Sequence, residues 1–183
     1  MRIIIILTAL MSTLCFGQSH KLNPLPKQLQ GTIPNFKVLA IDNETELNQN
    51  DLKTNAKKAG AKRIILSFFA TWCVNCIEEL VRLKENANEL KKNGVQVYLI
   101  NAGESIHNDG DKVSDMVKKY AGNSFPLWFD PNGNLLRKSG FIQENSGKFS
   151  LPLIIILDPD LRVLGVLSAI SKDDFPKVLW GEF

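Results

Sequence analysis

Residues 64–69 read Ile-Ile-Leu-Ser-Phe-Phe, a short run rich in β-branched and aromatic side chains that predicts a buried strand. From Cys76 the apolar positions fall at Cys76, Leu80, Leu83, Ala87 and Leu90. Steps of four and three set one stripe on one helical face, and Asn93-Gly94 stops it. Residues 95–101 predict a second central, parallel strand. The polar stretch 102–110 then reads as a loop at that strand's carboxyl end, the edge where open α/β sheets place their sites. A helix opens at Asp111 with Val113, Met116, Val117 and Tyr120 on one face, and Gly122 ends it. These stripes read as core, as do Trp128 and Trp180. Residues 125–130 give a short strand, and Asp130-Pro131-Asn132-Gly133 gives a turn. A strand over 153–157 passes through a hairpin turn at Asp158-Pro159-Asp160 into 162–167, and 172–180 closes as a helix interrupted early by Pro176. Upstream, Ile33-Pro34-Asn35-Phe36 opens a strand reaching about residue 41, and polar residues 42–60 hold a short helix ending near Gly60.

The N-terminus has a different pattern. Arg2 is followed by an apolar run over 3–10, then by small or uncharged residues up to Gly17. This is the layout of a signal peptide, with cleavage expected after Gly17 to leave Gln18 first. The run falls short of the ~20 apolar residues of a spanning helix; an uncleaved anchor is the alternative. Lipidation at Cys15 would want a small residue before it, and Leu14 is not small. The chain thus divides into a signal over 1–17, an extended lead-in over 18–32 holding Pro24 and Pro26, and one folded domain over 33–183. About 166 residues remain after cleavage, enough for one domain with a real core. The net charge of +3 drops by one with Arg2, and the remaining Lys and Arg are scattered, without the basic stripe of a nucleic-acid binder.

Removing residues 1–17 also removes Cys15, so Cys73 and Cys76 become the whole cysteine complement. They stand on the strand-to-helix turn, with Cys73 at or near the helix N-terminus. Unpaired N–H groups and the positive end of the helix dipole favour an anion there. The Cys73 thiol is therefore expected below the ~8.5 of a free cysteine, at ~7 or lower. A disulfide closing so small a loop restrains the unfolded chain little, so the pair suits reactivity better than stapling. The competing reading is half of a zinc site. That needs two more ligands, and beyond these cysteines the mature chain offers His20 and His107.

The run Ser67-Phe68-Phe69-Ala70-Thr71-Trp72-Cys73-Val74-Asn75-Cys76, with Glu79 after it, resembles the active site of the thioredoxin superfamily. It is most similar to the extracytoplasmic TlpA/ResA-type thiol–disulfide oxidoreductases, and the likeness covers about 33–180. The resemblance implies an α/β, thioredoxin-like fold, with a central mixed sheet flanked by helices, an N-terminal strand extension, and a peroxiredoxin-like insert at Phe125-Pro126 through Asp130-Pro131-Asn132-Gly133. It implies a redox-active Cys73–Cys76 disulfide, a proton-transfer role for Glu79, and a cis-proline at Pro152 facing the pair. Trp72, Leu151 and Pro152 would contact substrate. Ser67 occupies the strand position where thioredoxin keeps a buried Asp, which makes Glu79 the candidate substitute; Glu78 reads as an ordinary exposed residue. The sequence departs from the family at Asn75 and Val81, where Pro is usual, at Leu153, where Thr is common, and in the longer, more polar stretch 140–150.

The resemblance further implies an exported enzyme without cofactor or metal. It would exchange disulfides with exported proteins such as apocytochromes, as a reductase fed by a membrane-embedded thiol donor, and act as a monomer. Three alternatives stand beside it: a peroxidase, a metal-binding chaperone, and a non-enzymatic binding or assembly module on the same fold. A peroxidase would want a lone Cys in a Pro-x-x-x-Thr-x-x-Cys setting, whereas residue 69 is Phe and the cysteines form a pair.

Overall fold

The computed structural model describes residues 26–42, 44–142, 147, 149–168 and 170. The expected signal peptide, most of the lead-in including His20, and the expected closing helix over 172–180 with Trp180 lie outside the described residues.

Strand β3 (Arg63–Phe69) is the axis of the fold, and six of its seven residues are buried. It pairs in parallel with β4 (Val95–Ala102) on one side and antiparallel with β6 (Leu153–Leu157) on the other. With β1 (Lys37–Leu39), β2 (Glu46–Asn48), β5 (Leu127–Asp130) and β7 (Val163–Leu167) it makes a seven-stranded mixed sheet in the order β2-β1-β5-β4-β3-β6-β7. Alternate residues of β3 enter different cores, as the twofold side-chain period of a strand requires. Ile64, Leu66 and Phe68 face one cluster, which takes in Leu52 and Ala56 of α1 (Gln49–Lys58) and Leu135 and Leu136 of α5 (Asn134–Lys138). Ile65 and Phe69 face the other, built with Leu80 and Leu83 of α2 (Val74–Glu85), Leu90 of α3 (Ala87–Lys92), and Val113 and Val117 of α4 (Ile106–Tyr120). Both faces are thereby covered, which is why β3, β4 and β6 read as near-continuous apolar runs.

Local chemistry accounts for the differences from expectation. The stripe from Cys76 to Leu90 is two helices, because Asn86 closes α2 and opens α3; its Nδ2 donates to the Arg82 carbonyl at 2.8 Å. Residues expected as loop up to Gly110 are already helical from Ile106. Ser105 caps α4, and Ile106, Gly110, Val113 and Val117 form its buried stripe, with a glycine standing where an apolar side chain would have signalled the helix. β2 and α5 are too short for periodicity to reveal. The Asp130 carboxylate accepts the Asn134 and Leu135 N–H groups at 2.8 and 2.9 Å, and so holds the start of α5. The run expected as the insert forms β5, lodged between β4 and β1, and the turn into α5.

Candidate active site

The carboxyl ends of β3 and β4 and the start of β6 meet at one edge of the sheet. From the end of β3 three residues, Ala70, Thr71 and Trp72, lead to α2. The Cys73 N–H donates to the Ala70 carbonyl at 3.1 Å, and Cys73 becomes the N-cap of α2 with β-region backbone. Cys76 lies in the first turn, its N–H bonded to the Cys73 carbonyl at 3.1 Å. The two sulfurs are joined in a disulfide, with the Cα atoms 5.3 Å apart. The pair is asymmetric: Cys73 is 6% exposed, whereas Cys76 is fully buried against the sheet. Trp72 and Val74, on either side of Cys73, are among the most exposed large apolar residues described, and the Trp72 ring meets the Phe149 ring edge-on at 6.1 Å.

Glu79 lies one turn beyond Cys76, on the same buried face of α2. It is 1% exposed, whereas its neighbour Glu78 points outward and pairs with Arg82 at 3.0 Å. Glu79 Oε2 accepts the Ile170 N–H at 3.0 Å, and Oε1 makes no protein hydrogen bond. Burial pushes its carboxyl up to about 7; the Ile170 bond and nearby Arg82 pull the other way without overcoming it. Ser67, on the β3 face turned toward α2, is buried too, and its hydroxyl makes no protein hydrogen bond.

Pro152 is buried immediately before β6, and the Leu151–Pro152 bond is cis. Leu153 is registered against Phe68, so Pro152 stands level with the end of β3, beside the loop that carries Cys73. Half-buried Leu151 packs against both cores. Trp72, Cys73, Cys76 and Pro152 thus gather at one edge, with Glu79 one helical turn beyond Cys76 on the buried face of α2. Glu104, Asn101 and Phe149 are there as well, and sequence reasoning did not single them out. The hint for Glu104 was its place in a polar stretch at a strand's carboxyl end. Its partner Thr71 is 33 positions away, a pairing that no local pattern encodes. Among the described residues, no three His, Cys, Asp or Glu side chains converge as a metal-ligand set.

The chain is 27% identical over 131 residues to the thiol-disulfide oxidoreductase ResA of Bacillus thuringiensis subsp. konkukian. That alignment covers 72% of this chain and 64% of the relative, so the chain spans less than two-thirds of the relative's length. Its fold superposes on the thioredoxin domain of a thiol-disulfide oxidoreductase from Bacteroides vulgatus with a TM-score of 0.62 at 15% identity, covering 82% of this chain and 94% of the other. AhpC of Enterococcus faecalis matches with a TM-score of 0.61 at 19% identity, covering 84% and 92%. Identities this low carry the fold alone. The AhpC/TSA family model matches residues 29–165, from the turn ahead of β1 into β7, and on that match the chain belongs to the AhpC/TSA family of thioredoxin-like proteins.

Proposed function

We propose that this protein is an exported thiol–disulfide oxidoreductase that reduces disulfides in exported proteins such as apocytochromes. The observation that carries the reading is the Cys73–Cys76 disulfide at the head of α2, with Cys73 6% exposed, Cys76 fully buried, and the carboxyl of Glu79, one turn further along the same buried face, raised to about 7. In the reduced protein the Cys73 thiolate attacks one sulfur of a substrate disulfide. That S–S bond breaks, a mixed disulfide forms, and the departing substrate thiolate takes a proton from solvent. Cys76 then loses its proton to Glu79 and attacks the Cys73 sulfur. The second substrate sulfur leaves as a thiolate, and the Cys73–Cys76 disulfide remains, two electrons having passed to the substrate. A membrane-embedded dithiol donor returns the pair to the reduced form. Trp72, Leu151 and Pro152 would border the sulfurs and hold an extended substrate segment. Residues 1–17 would direct export and then be removed, leaving the remaining domain outside the cytoplasm, where it would act as a monomer; N-terminal sequencing of exported protein should begin at Gln18.

The test is the reduction potential of the pair, by equilibration with glutathione and alkylation of the free thiols. A reductase should lie near the thioredoxin value of about −270 mV, and an oxidase near the DsbA value of about −120 mV. Cys73→Ser should abolish reduction of a protein disulfide. Survival of that activity in the variant would defeat the reading.

A further inference from the structure

We infer that Glu104 is a positioning residue of this site: its carboxylate bolts the Thr71–Trp72 turn to β4 and so fixes where Cys73 enters α2. This rests on the reading of Cys73 as the nucleophile. Both carboxylate oxygens are used on the same loop residue. Oε2 accepts the Thr71 backbone N–H at 2.8 Å, and Oε1 accepts the Thr71 hydroxyl at 2.5 Å. Asn101 Nδ2 donates to Oε2 at 2.5 Å, so the carboxylate is itself held from the strand below. Asn101 is registered against Phe69, the last residue of β3. The anchor therefore stands on the central parallel pairing of the sheet, and the loop it holds is two residues from Cys73.

The backbone is arranged for this contact. Gly103 has φ +81°, a left-handed conformation that turns the chain after β4 and brings Glu104 back toward the β3 loop. A Cβ on Gly103 would lie 3.6 Å from the Phe149 ring, the ring that meets Trp72 edge-on. Trp72 is thus flanked by Phe149 on one side and tethered through Thr71 on the other. Glu104 is only 8% exposed, and a carboxylate taken from water is costly unless charge-assisted hydrogen bonds offset it. Here those bonds go to the segment that presents the reactive sulfur, where small misplacements of reacting atoms are expensive in rate.

The geometry separates position from charge. In Glu104→Gln, an oxygen in place of Oε2 keeps both N–H donors, and the amide in place of Oε1 donates to the Thr71 hydroxyl, whose proton turns away. Glu104→Ala loses all three bonds, and Thr71→Val loses one. The reduced proteins are reacted with dithiodipyridine across pH, which yields the Cys73 pKa and the plateau rate of the full thiolate separately. The plateau should fall about tenfold in Glu104→Ala and about threefold in Thr71→Val, and stay within about twofold in Glu104→Gln. Amide hydrogen exchange at Thr71, read on the oxidised form of each protein, should accelerate in Glu104→Ala and remain slow in Glu104→Gln. An unchanged plateau and unchanged exchange in Glu104→Ala overturn the inference, and so does an equal loss in Gln and Ala. If Glu104→Ala does not fold, the Thr71→Val plateau decides, and a wild-type value there overturns it. A wild-type protein that fails to react with the probe defeats the thiol–disulfide reading instead, while Thr71 exchange still reports on the bolt.

Discussion

The Glu79 carboxylate accepts the Ile170 backbone N–H at 3.0 Å on the buried face of α2, one turn beyond Cys76. Arg82, one turn further along α2, donates from Nη1 to the Ile170 carbonyl at 2.8 Å. Helix α2 therefore grips both backbone polar groups of Ile170, and the buried Ile170 side chain completes the contact.

Glu79 makes the stability of the fold depend on pH. Its carboxyl is raised to about 7 in the folded protein from an ordinary 4.5, with burial as the main cause. Between those values the folded state keeps a proton that the unfolded chain has released. The contribution is full below about pH 4.5 and is lost as pH rises through about 7, by roughly 3 kcal/mol in all. Glu79→Gln accepts the same Ile170 N–H and does not titrate. The stability of wild type minus Glu79→Gln, from urea unfolding of the oxidised proteins, should fall across that window. A flat difference would mean that Glu79 ionises normally.

Cys73 should be the sulfur that reagents reach first. It is 6% exposed at the N-cap of α2, whereas Cys76 is fully buried. Limited alkylation of the reduced protein at mildly acid pH, read by mass spectrometry, should label Cys73 before Cys76. The reverse order would invert the proposed roles.

Asn75→Pro should make the protein more reducing and raise the Cys73 pKa. Asn75 lies in the first turn of α2 and keeps a backbone N–H that proline would remove. A charge-assisted bond from that group to the Cys73 thiolate is worth ~1.5–3 kcal/mol. At about 30 mV per 1.4 kcal/mol, the shift is some tens of millivolts. Glutathione equilibration and thiolate absorbance against pH measure both effects. A mutant equally or more oxidising would show that this donor does not serve the sulfur.

Gly133→Ala should destabilise the fold with little effect on the cysteines. Gly133 caps α5 at φ +59°, and a Cβ there would lie 2.8 Å from Ile142 Cδ1. Left-handed strain and the clash together should cost about 1–3 kcal/mol, seen as a lower urea midpoint with an unchanged Cys73–Cys76 potential.

Much of the fold was readable in the chain because it is local. The β3 run, the Cys-x-x-Cys at its end and the stripe beyond need only a strand's twofold and a helix's 3.6-residue period, so the strand–turn–helix unit was legible in outline. The same periods put Glu79 on the buried face with Cys76 and Glu78 on the outer one. Where cues were weak, boundaries moved: Gly110 hid the first turn of α4, and Asn86 broke a stripe that looked continuous. Other features depend on which strands become neighbours. Glu104 reaches Thr71 because β3 and β4 pair with Phe69 opposite Asn101, and Glu79 meets Ile170 because the fold sets Ile170, 91 positions away in the chain, against α2. The charge state of Glu79 belongs to the same class, since burial by distant residues sets it. Chain periodicity determines which way a side chain points, whereas only the assembled sheet determines what it then meets, because hydrogen bonds and desolvation act through space and carry no trace in local spacing.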